Sequence, residues 1–358
     1  MVTMAKSKPR RPALGIIAGW VLAAACLVWV FHDIKPAELL RQLSGLRWPL
    51  AALALLVESA SYFVMGTRWR ILLKPGLPIS PFKTTQAIYA GMFLSQVFPL
   101  RIGELARGFL VARWSGLGLF SVLPSMALER FFEAFWMTLG LGLLALLVPL
   151  PRNFITAGKI LGAAIAVLAV LIPALILRRP APAACSPACP PAPDRTRGRV
   201  RRTLRAFLAE LRIELCDIGL GRRFFTAFGM SLVAIGMWAL TFWMIMRAYG
   251  IREALPVGFA VWLITHIGIA LPNSPGNVGS YQFFCVLALL LFGVDKTAAT
   301  GFSVIAFILV SIPQVAIGAV CLARSGMTAA SLKAGVTGFR GWPAAGSEQA
   351  PGGPQPGA

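Results

Sequence analysis

Long apolar runs separated by short polar stretches dominate the sequence. Six of these runs approach or exceed the roughly 20 residues that a helix needs to cross a bilayer. They cover residues 13–31, 49–67, 122–148, 157–177, 225–246 and 298–323. Between the first two, residues 36–46 carry leucines at helical spacing, so this joint is predicted to lie along the membrane interface as an amphipathic helix.

Two further apolar runs are interrupted by polar residues. Residues 84–98 would extend only about 22 Å as a helix before Pro99, and a second short helix is predicted to begin near Gly103. Residues 256–271 are likewise broken by PNSPGNVGS at 272–280. Since these halves fall short of the roughly 30 Å hydrocarbon core, each run is predicted to form a re-entrant helical hairpin.

Composition places the chain among membrane proteins. Of its 358 residues, 57% are hydrophobic and only 13% are charged, which excludes a soluble globular domain. The predicted fold class is an all-α polytopic membrane protein with about six full transmembrane helices and two re-entrant helical hairpins. Residues 281–292 would form the returning half of the second hairpin.

The net charge of +21 would suggest a nucleic-acid partner in a soluble protein, but here the basic residues lie between apolar segments. They are interpreted as a topology signal, so membrane lipids and not nucleic acid are the expected partner. Most of the 34 Lys and Arg residues fall on the side that holds both termini. That imbalance predicts that both termini lie in the cytoplasm, and the expected location of the protein is a bacterial inner membrane.

This orientation makes the first hairpin enter from the cytoplasm and the second from the outside. Two such units form an inverted repeat, and the hairpin tips would meet at a substrate site near the membrane midplane. The predicted domains are a cytoplasmic N-terminus, a membrane domain that contains a basic Pro- and Arg-rich cytoplasmic loop, and a disordered cytoplasmic tail. These cover residues 1–12, 13–324 with the loop at 178–224, and 325–358.

Charged residues crowd the first break. Arg101, Glu104 and Arg107 flank the start of a half-helix whose free N–H groups and positive dipole end attract anions. With Gly103 they are candidate residues for binding a phosphate-bearing headgroup, with Glu104 bracing the arginines. An internal salt-bridge cluster that only holds the hairpin explains the same residues, and one role does not exclude the other.

The second break offers neutral polar groups and backbone that a ligand could approach closely. Asn273, Asn277 and Ser280 supply donors and acceptors, whereas Gly276 and Gly279 permit close approach. These five are candidate substrate-binding residues. A polar turn that binds nothing is the alternative.

Ionisable residues also occur inside predicted spans, where they are costly and usually face a partner or a pathway. Glu58 is a candidate for proton coupling or headgroup contact, and a Glu–Arg pair between helices is the alternative. Glu129 and Glu133 share one helix face, and Arg130 is predicted to pair with Glu133 at i,i+3. His266 is expected to pack on its own backbone rather than to titrate.

Motifs for soluble catalysis are missing from the sequence. It has no phosphate-binding loop, dinucleotide fingerprint, metal-ligand set or nucleophile elbow, so neither enzyme activity nor a cofactor or metal is expected. One enzyme class stays open as a minority interpretation. Asp33 follows the first helix, where membrane glycosyltransferases that use lipid-linked sugars place an acid, but the outer connections here are short.

The residues of the two breaks, together with Arg68, Trp69, Glu129 and Arg130, resemble the transmembrane region of lysylphosphatidylglycerol synthases, a family of flippase-like integral membrane proteins. The resemblance covers roughly residues 12–325. The sequence departs from the family pattern at Gln282, near which family members commonly have an acid. The resemblance does not extend to the aminoacyl-transferring domain of the synthases. It implies lipid movement rather than lipid synthesis. The matching residues are Arg68, Trp69, Pro99, Arg101, Gly103, Glu104, Arg107, Glu129, Arg130, Pro272, Pro275, Gly276 and Gly279.

The leading hypothesis is therefore a transporter that moves a lipid with an anionic or phosphate headgroup between leaflets. The alternative is a membrane enzyme or accessory subunit of lipid or glycolipid modification, including hopanoid pathways, with Asp33 or Glu104 catalytic. A third interpretation is a scaffold that docks a lipid-biosynthesis enzyme through the basic loop.

Overall fold

The protein is helical throughout the part that the computed structural model describes. That part comprises residues 12–32, 44–74, 76–98, 102–147, 162–168, 221–270 and 275–326, with isolated positions at 34, 37, 156, 160, 170 and 174. The predictions for the 178–224 loop and the tail lie almost entirely outside these residues, as does most of the 36–46 helix. Within the predicted 157–177 span, residues 162–168 are helical.

Nine α-helices and one short 3₁₀ turn have defined bounds within the described residues. In chain order they are α1 (Pro12–Phe31), α2 (Trp48–Leu72), α3 (Pro81–Val97), α4 (Ile102–Ser115), α5 (Leu119–Leu147), α6 (Arg222–Tyr249), α7 (Leu255–Gly268), the 3₁₀ turn (Pro275–Asn277), α8 (Ser280–Leu290) and α9 (Lys296–Arg324). The prediction of an all-α polytopic protein is confirmed at this level. Both predicted interruptions are real breaks, one between α3 and α4 and one between α7 and α8.

Local sequence explains where several helices begin and end. Ser80 caps α3 by accepting a hydrogen bond from the Lys83 N–H, with Pro81 at the first helical position. The Asp295 carboxylate accepts from two backbone N–H groups at the start of α9. Helix α6 ends at Gly250, whose φ of 98° lies in the left-handed region that favours glycine.

The lengths of the helices repeat after α1. A set of 25, 17, 14 and 29 residues in α2 to α5 is followed by a set of 28, 14, 11 and 29 residues in α6 to α9. In each set the first long helix packs on the first short helix, the two short helices pack on each other, and the second short helix packs on the last long one. The sets meet chiefly where α2 packs on α6 and α3 on α9.

Three of the described helices are long and apolar enough to cross a membrane by length and composition, namely α2, α6 and α9. Helix α5 is as long as α9, with 29 residues, but it carries charged residues and Pro124 in its first half. The prediction of six full spans stays a prediction.

Helix α2 continues beyond its predicted end at residue 67 and reaches Leu72. As a result, Arg68 and Trp69 are fully buried between helices. An arginine and a tryptophan directly after the predicted span at 49–67 are typical of a membrane boundary, whereas the structure gives Arg68 and Trp69 partners in the protein interior.

Glycines allow α3 and α4 to form a closely packed antiparallel hairpin. A β-carbon on Gly103 would lie 1.8 Å from the Gly91 carbonyl oxygen, and one on Gly91 would lie 3.1 Å from the Arg107 β-carbon. Ser95 also lies against Gly103. Gly103 is therefore required where the two helix backbones touch.

Replacement of Gly103 by Ala is expected to destabilise the folded protein by about 1–3 kcal/mol, because the added methyl group overlaps backbone that cannot move away. Gly229→Ala in α6 is the matched control, since nothing lies within 4 Å of that added carbon. It is expected to gain up to about 1 kcal/mol in helix propensity. Thermal unfolding in detergent measures both variants, and equal midpoints would contradict the close contact.

The two breaks lie near each other in the fold. Helix α3 runs antiparallel to α9, with Gln86 bonded to the Cys321 carbonyl and Gln96 bonded to Gln314. The 3₁₀ turn packs on the end of α3, where a β-carbon on Gly276 would lie 2.8 Å from Gln96 Oε1. The second break therefore lies against the last turn of the helix that precedes the first break.

Candidate functional site

A buried group of ion pairs joins α2, α4 and α5. We call these six side chains the charge cluster: Arg68, Glu104, Arg107, Glu129, Arg130 and Glu133. Three are cations and three are anions, so the cluster is electrically balanced. Buried charges in a membrane protein are costly unless each is paired with an opposite charge, as these are.

Glu129 lies at the centre of the charge cluster. Its Oε1 is 3.0 Å from Arg68 Nη2, and its Oε2 is 3.1 Å from Arg107 Nη1. Arg68 also reaches Glu133 Oε1 at 2.7 Å. Glu129 is fully buried, and it connects the first long helix to the second half of the hairpin through one carboxylate.

The edge of the charge cluster is more open than its centre. The Glu104 side chain is 34% exposed and pairs with Arg107 at 2.9 Å. The Arg130 side chain is 48% exposed and pairs with Glu133 at 2.8 Å, as the i,i+3 spacing predicts. Glu104 and Arg130 are therefore the accessible charged side chains of the charge cluster.

Arg107 itself is buried and incompletely hydrogen-bonded. Its Nε donates to Glu104 Oε2 at 3.0 Å. Its Nη1 and Nη2 approach carboxylates but form no hydrogen bond of good geometry within the described residues. The guanidinium lies 4.8 Å from the Trp69 ring centroid, a cation–π distance.

Neutral residues complete the surroundings of Arg68 and Trp69. Arg68 Nη1 donates to the Ser231 hydroxyl of α6 at 3.1 Å, and Trp69 Nε1 donates to the Ser125 hydroxyl of α5 at 3.0 Å. No pattern in the sequence singles out Ser125 or Ser231. Small hydroxyl residues in apolar helices are common and carry no signal until the facing helix is known.

Among the other residues predicted at the first break, Gly103 contacts the neighbouring helix backbone, and Arg101 lies outside the described residues. The structure brings Glu104 and Arg107 together. Their role as headgroup ligands stays a prediction.

Strained backbone marks the second break. Gly276, Asn277 and Gly279 have φ values of 64°, 57° and 87°, which place all three in the left-handed half of φ/ψ space. Ser280 donates a hydrogen bond to the Asn277 carbonyl at 3.1 Å. Asn273 lies outside the described residues.

Gln282 stabilises this break from within α8. Its Oε1 accepts a hydrogen bond from the Gly279 N–H at 2.7 Å, and the side chain is buried. Gly279 in turn lies on α1, where an added β-carbon would be 2.5 Å from the Ala23 carbonyl oxygen. The amide at position 282 therefore has a structural use as a helix cap.

A second polar group lies apart from the charge cluster. Glu58 is 3% exposed in α2 and accepts a hydrogen bond from the Tyr62 hydroxyl at 3.2 Å. Tyr62 accepts from Gln314 of α9 at 2.8 Å. A polar glutamine inside an apolar helix, as at position 314, is a signal that sequence reasoning missed.

His266 does not join either polar group. Its Nδ1 lies 2.9 Å from the Trp262 carbonyl oxygen one turn earlier, and its ring lies beside Trp238 and Trp262. The expectation that this histidine packs on its own backbone agrees with this arrangement.

Comparison with known proteins shows the family of the chain. Residues 16–318 match the family described as the lysylphosphatidylglycerol synthase TM region. The chain belongs to this family. As a member of the lysylphosphatidylglycerol synthase TM-region family, the protein is a membrane protein of a lipid-related class, and the matched region is a transmembrane one.

The chain is also similar to a UPF0104 membrane protein of Methanothermobacter thermautotrophicus. The two are 24% identical over 298 residues, which cover 76% of this chain and 81% of the relative. No solved structure matches the chain. Both the family and this relative are consistent with a multi-pass membrane protein.

Proposed function

We propose that this protein moves a lipid with an anionic or phosphate-bearing headgroup between the leaflets of a bacterial inner membrane, with both of its termini in the cytoplasm. The two interrupted segments would be re-entrant hairpins of an inverted repeat. The headgroup would pass between them while the acyl chains stay in the bilayer, which avoids the cost of taking a charged group through hydrocarbon.

The observation that carries this proposal is the packing of the second break on the last turn of α3, directly before the first break. We call this packing the contact between the two breaks. Gly276 of the second break lies on Gln96, in the last turn before the first break. Helices α3 and α7, with 17 and 14 residues, would extend about 25 and 21 Å, which is short of a roughly 30 Å core. Paired broken helices at corresponding positions of two sets are typical of transporters that bind substrate at the midplane.

The charge cluster supports an anionic headgroup. Because its three cations and three anions balance, an added phosphate needs positive charge from outside the pairs. Arg101, which precedes α4 in the chain, and the N-terminus of α4 would supply that charge, and the half-exposed Arg130 would add a further donor. The unaligned donors of Arg107 could turn toward the same anion.

Substitution of these cations is expected to slow lipid transfer. In liposomes that contain fluorescent headgroup-labelled phosphatidylglycerol, Arg101→Ala and Arg130→Gln should each lower the rate at which a membrane-impermeant quencher reaches inner-leaflet label by about ten- to a hundredfold. That range corresponds to the loss of one charged hydrogen bond. Arg113→Gln, at the far end of α4, is the control and should change the rate less than about twofold.

Three outcomes separate the candidate functions. Wild-type liposomes that exchange label no faster than protein-free liposomes, also with native lipid extract, would contradict lipid transfer. A new lipid species detected by mass spectrometry would instead favour the alternative, an enzyme or accessory subunit of lipid or glycolipid modification. Transfer that appears only after a lipid-biosynthesis enzyme is added would point to a partner.

A further inference from the structure

Glu58 is a buried acid that no cation neutralises within the described residues. It is 3% exposed, its Oε1 accepts a hydrogen bond from Tyr62, and its Oε2 has no hydrogen-bond partner. The three acids of the charge cluster differ, because each has an arginine within 3.1 Å. An unpaired carboxylate buried at this depth would cost several kcal/mol.

The groups that face Glu58 are all uncharged at neutral pH. Within the described residues they are Tyr62 of α2, Tyr89 of α3, Thr241 of α6 and Tyr281 of α8, and Gln314 of α9 bonds to Tyr62. The Thr241 hydroxyl lies beside the Glu58 carboxyl, and the Tyr281 hydroxyl is buried without a hydrogen-bond partner among the described residues. Neutral polar groups of this kind suit a protonated carboxyl better than a carboxylate.

Hydrogen bonds lead from Glu58 to the contact between the two breaks. The Gln96 amide donates to Gln314 Oε1 at 2.5 Å, the Gln314 amide donates to the Tyr62 hydroxyl at 2.8 Å, and Tyr62 donates to Glu58 at 3.2 Å. The four side chains come from α2, α3 and α9. Gln96 also lies against Gly276, so the chain ends where the second break rests on α3.

We infer that Glu58 is a proton-binding site, occupied while the two breaks are in contact, and that it exchanges its proton with water when the Gln96–Gly276 contact opens. A carboxylate created at Glu58 would need water or a cation that the closed packing does not provide. Ionisation and separation of the breaks therefore favour each other. The proton site stands on the geometry alone, whereas its coupling to lipid transfer rests on the proposed function.

The proton site is tested by chemical labelling. Dicyclohexylcarbodiimide is apolar and adds to protonated carboxyl groups within membranes, and the adduct is found by peptide mass spectrometry. In the wild-type protein, Glu58 is expected to be labelled at least about tenfold more than Glu129 and Glu133, which form ion pairs with arginines. Labelling of Glu58 should fall as the pH rises.

Infrared spectroscopy decides the result if the reagent fails to reach α2. The wild-type protein should show the carbonyl stretch of one protonated carboxylic acid that Glu58→Gln lacks. Tyr62→Phe, which removes the hydroxyl that donates to Glu58, should shift that band without abolishing it. Identical wild-type and Glu58→Gln spectra in this region across the pH range would overturn the inference.

Lipid transfer tests the coupling separately. Wild-type transfer should vary with pH as a one-proton process, by up to about tenfold per pH unit, and Glu58→Gln should remove that dependence. A protonated Glu58 with pH-independent transfer would overturn the coupling and leave the proton site intact. An absence of any transfer, together with the Glu58 label, would count against the proposed function and not against the site.

Discussion

Replacement of Arg68 by Met is expected to destabilise the folded protein by about 3–5 kcal/mol. Arg68 is fully buried and is the cation through which α2 contacts both Glu129 and Glu133. Methionine fills similar space but leaves Glu129 with Arg107 alone and removes one of the two cations of Glu133. Loss of the monodisperse peak in size-exclusion chromatography and a lower unfolding midpoint in detergent measure this effect.

A compensating variant separates loss of charge from loss of packing. If the uncompensated negative charge causes the damage, adding Glu133→Gln to Arg68→Met should restore part of the stability, because the second substitution again balances the cations and anions of the charge cluster. Arg113→Met is the control, as this arginine lies at the end of α4 with one long hydrogen bond of 3.4 Å to Gly326. Equal stability of Arg68→Met and Arg113→Met would contradict the described charge cluster.

Apolar run length predicted most of the helices, because a segment that must bury its backbone groups in a membrane has few options besides a helix. The interruptions at Pro99 and between residues 272 and 280 predicted both breaks. Pairing of Arg130 with Glu133 followed from their spacing within one helix. These are local properties, and local properties can be read from sequence.

Contacts between distant segments were less predictable. Arg68 bonds to a residue 61 positions away, and Gln96 to one 218 positions away. Nothing in the run that contains Arg68 distinguishes an arginine that faces headgroups from one that faces acids on another helix. That distinction depends on how far α2 continues past residue 67 and on which face meets α5.

The two polar groups have different physical characters. The charge cluster contains three cations and three anions and holds α2, α4 and α5 together, so a change in its charge acts on stability first. The chain from Glu58 to Gln96 contains one ionisable acid and three neutral side chains, and it connects α2 and α9 to the contact between the breaks. Loss of the proton from Glu58 would therefore create a negative charge that no cation in this chain of side chains neutralises.

Gly279→Ala is expected to destabilise the protein by about 2–5 kcal/mol. Gly279 has φ 87° and ψ −58°, a backbone conformation that is strained for any residue with a β-carbon. The added methyl group would also lie 2.5 Å from the Ala23 carbonyl oxygen of α1. Both effects act at the start of α8, so α8 and α1 are expected to separate.

Gly293→Ala isolates the contact with α1. Gly293 has a φ of 74°, but nothing lies within 4 Å of its added carbon, so only the conformational cost of about 1–2 kcal/mol applies. Unfolding midpoints of the two variants in detergent give the difference. A larger loss for Gly279→Ala is expected from the contact with α1 together with the backbone conformation of Gly279, whereas equal losses would contradict a close contact with α1.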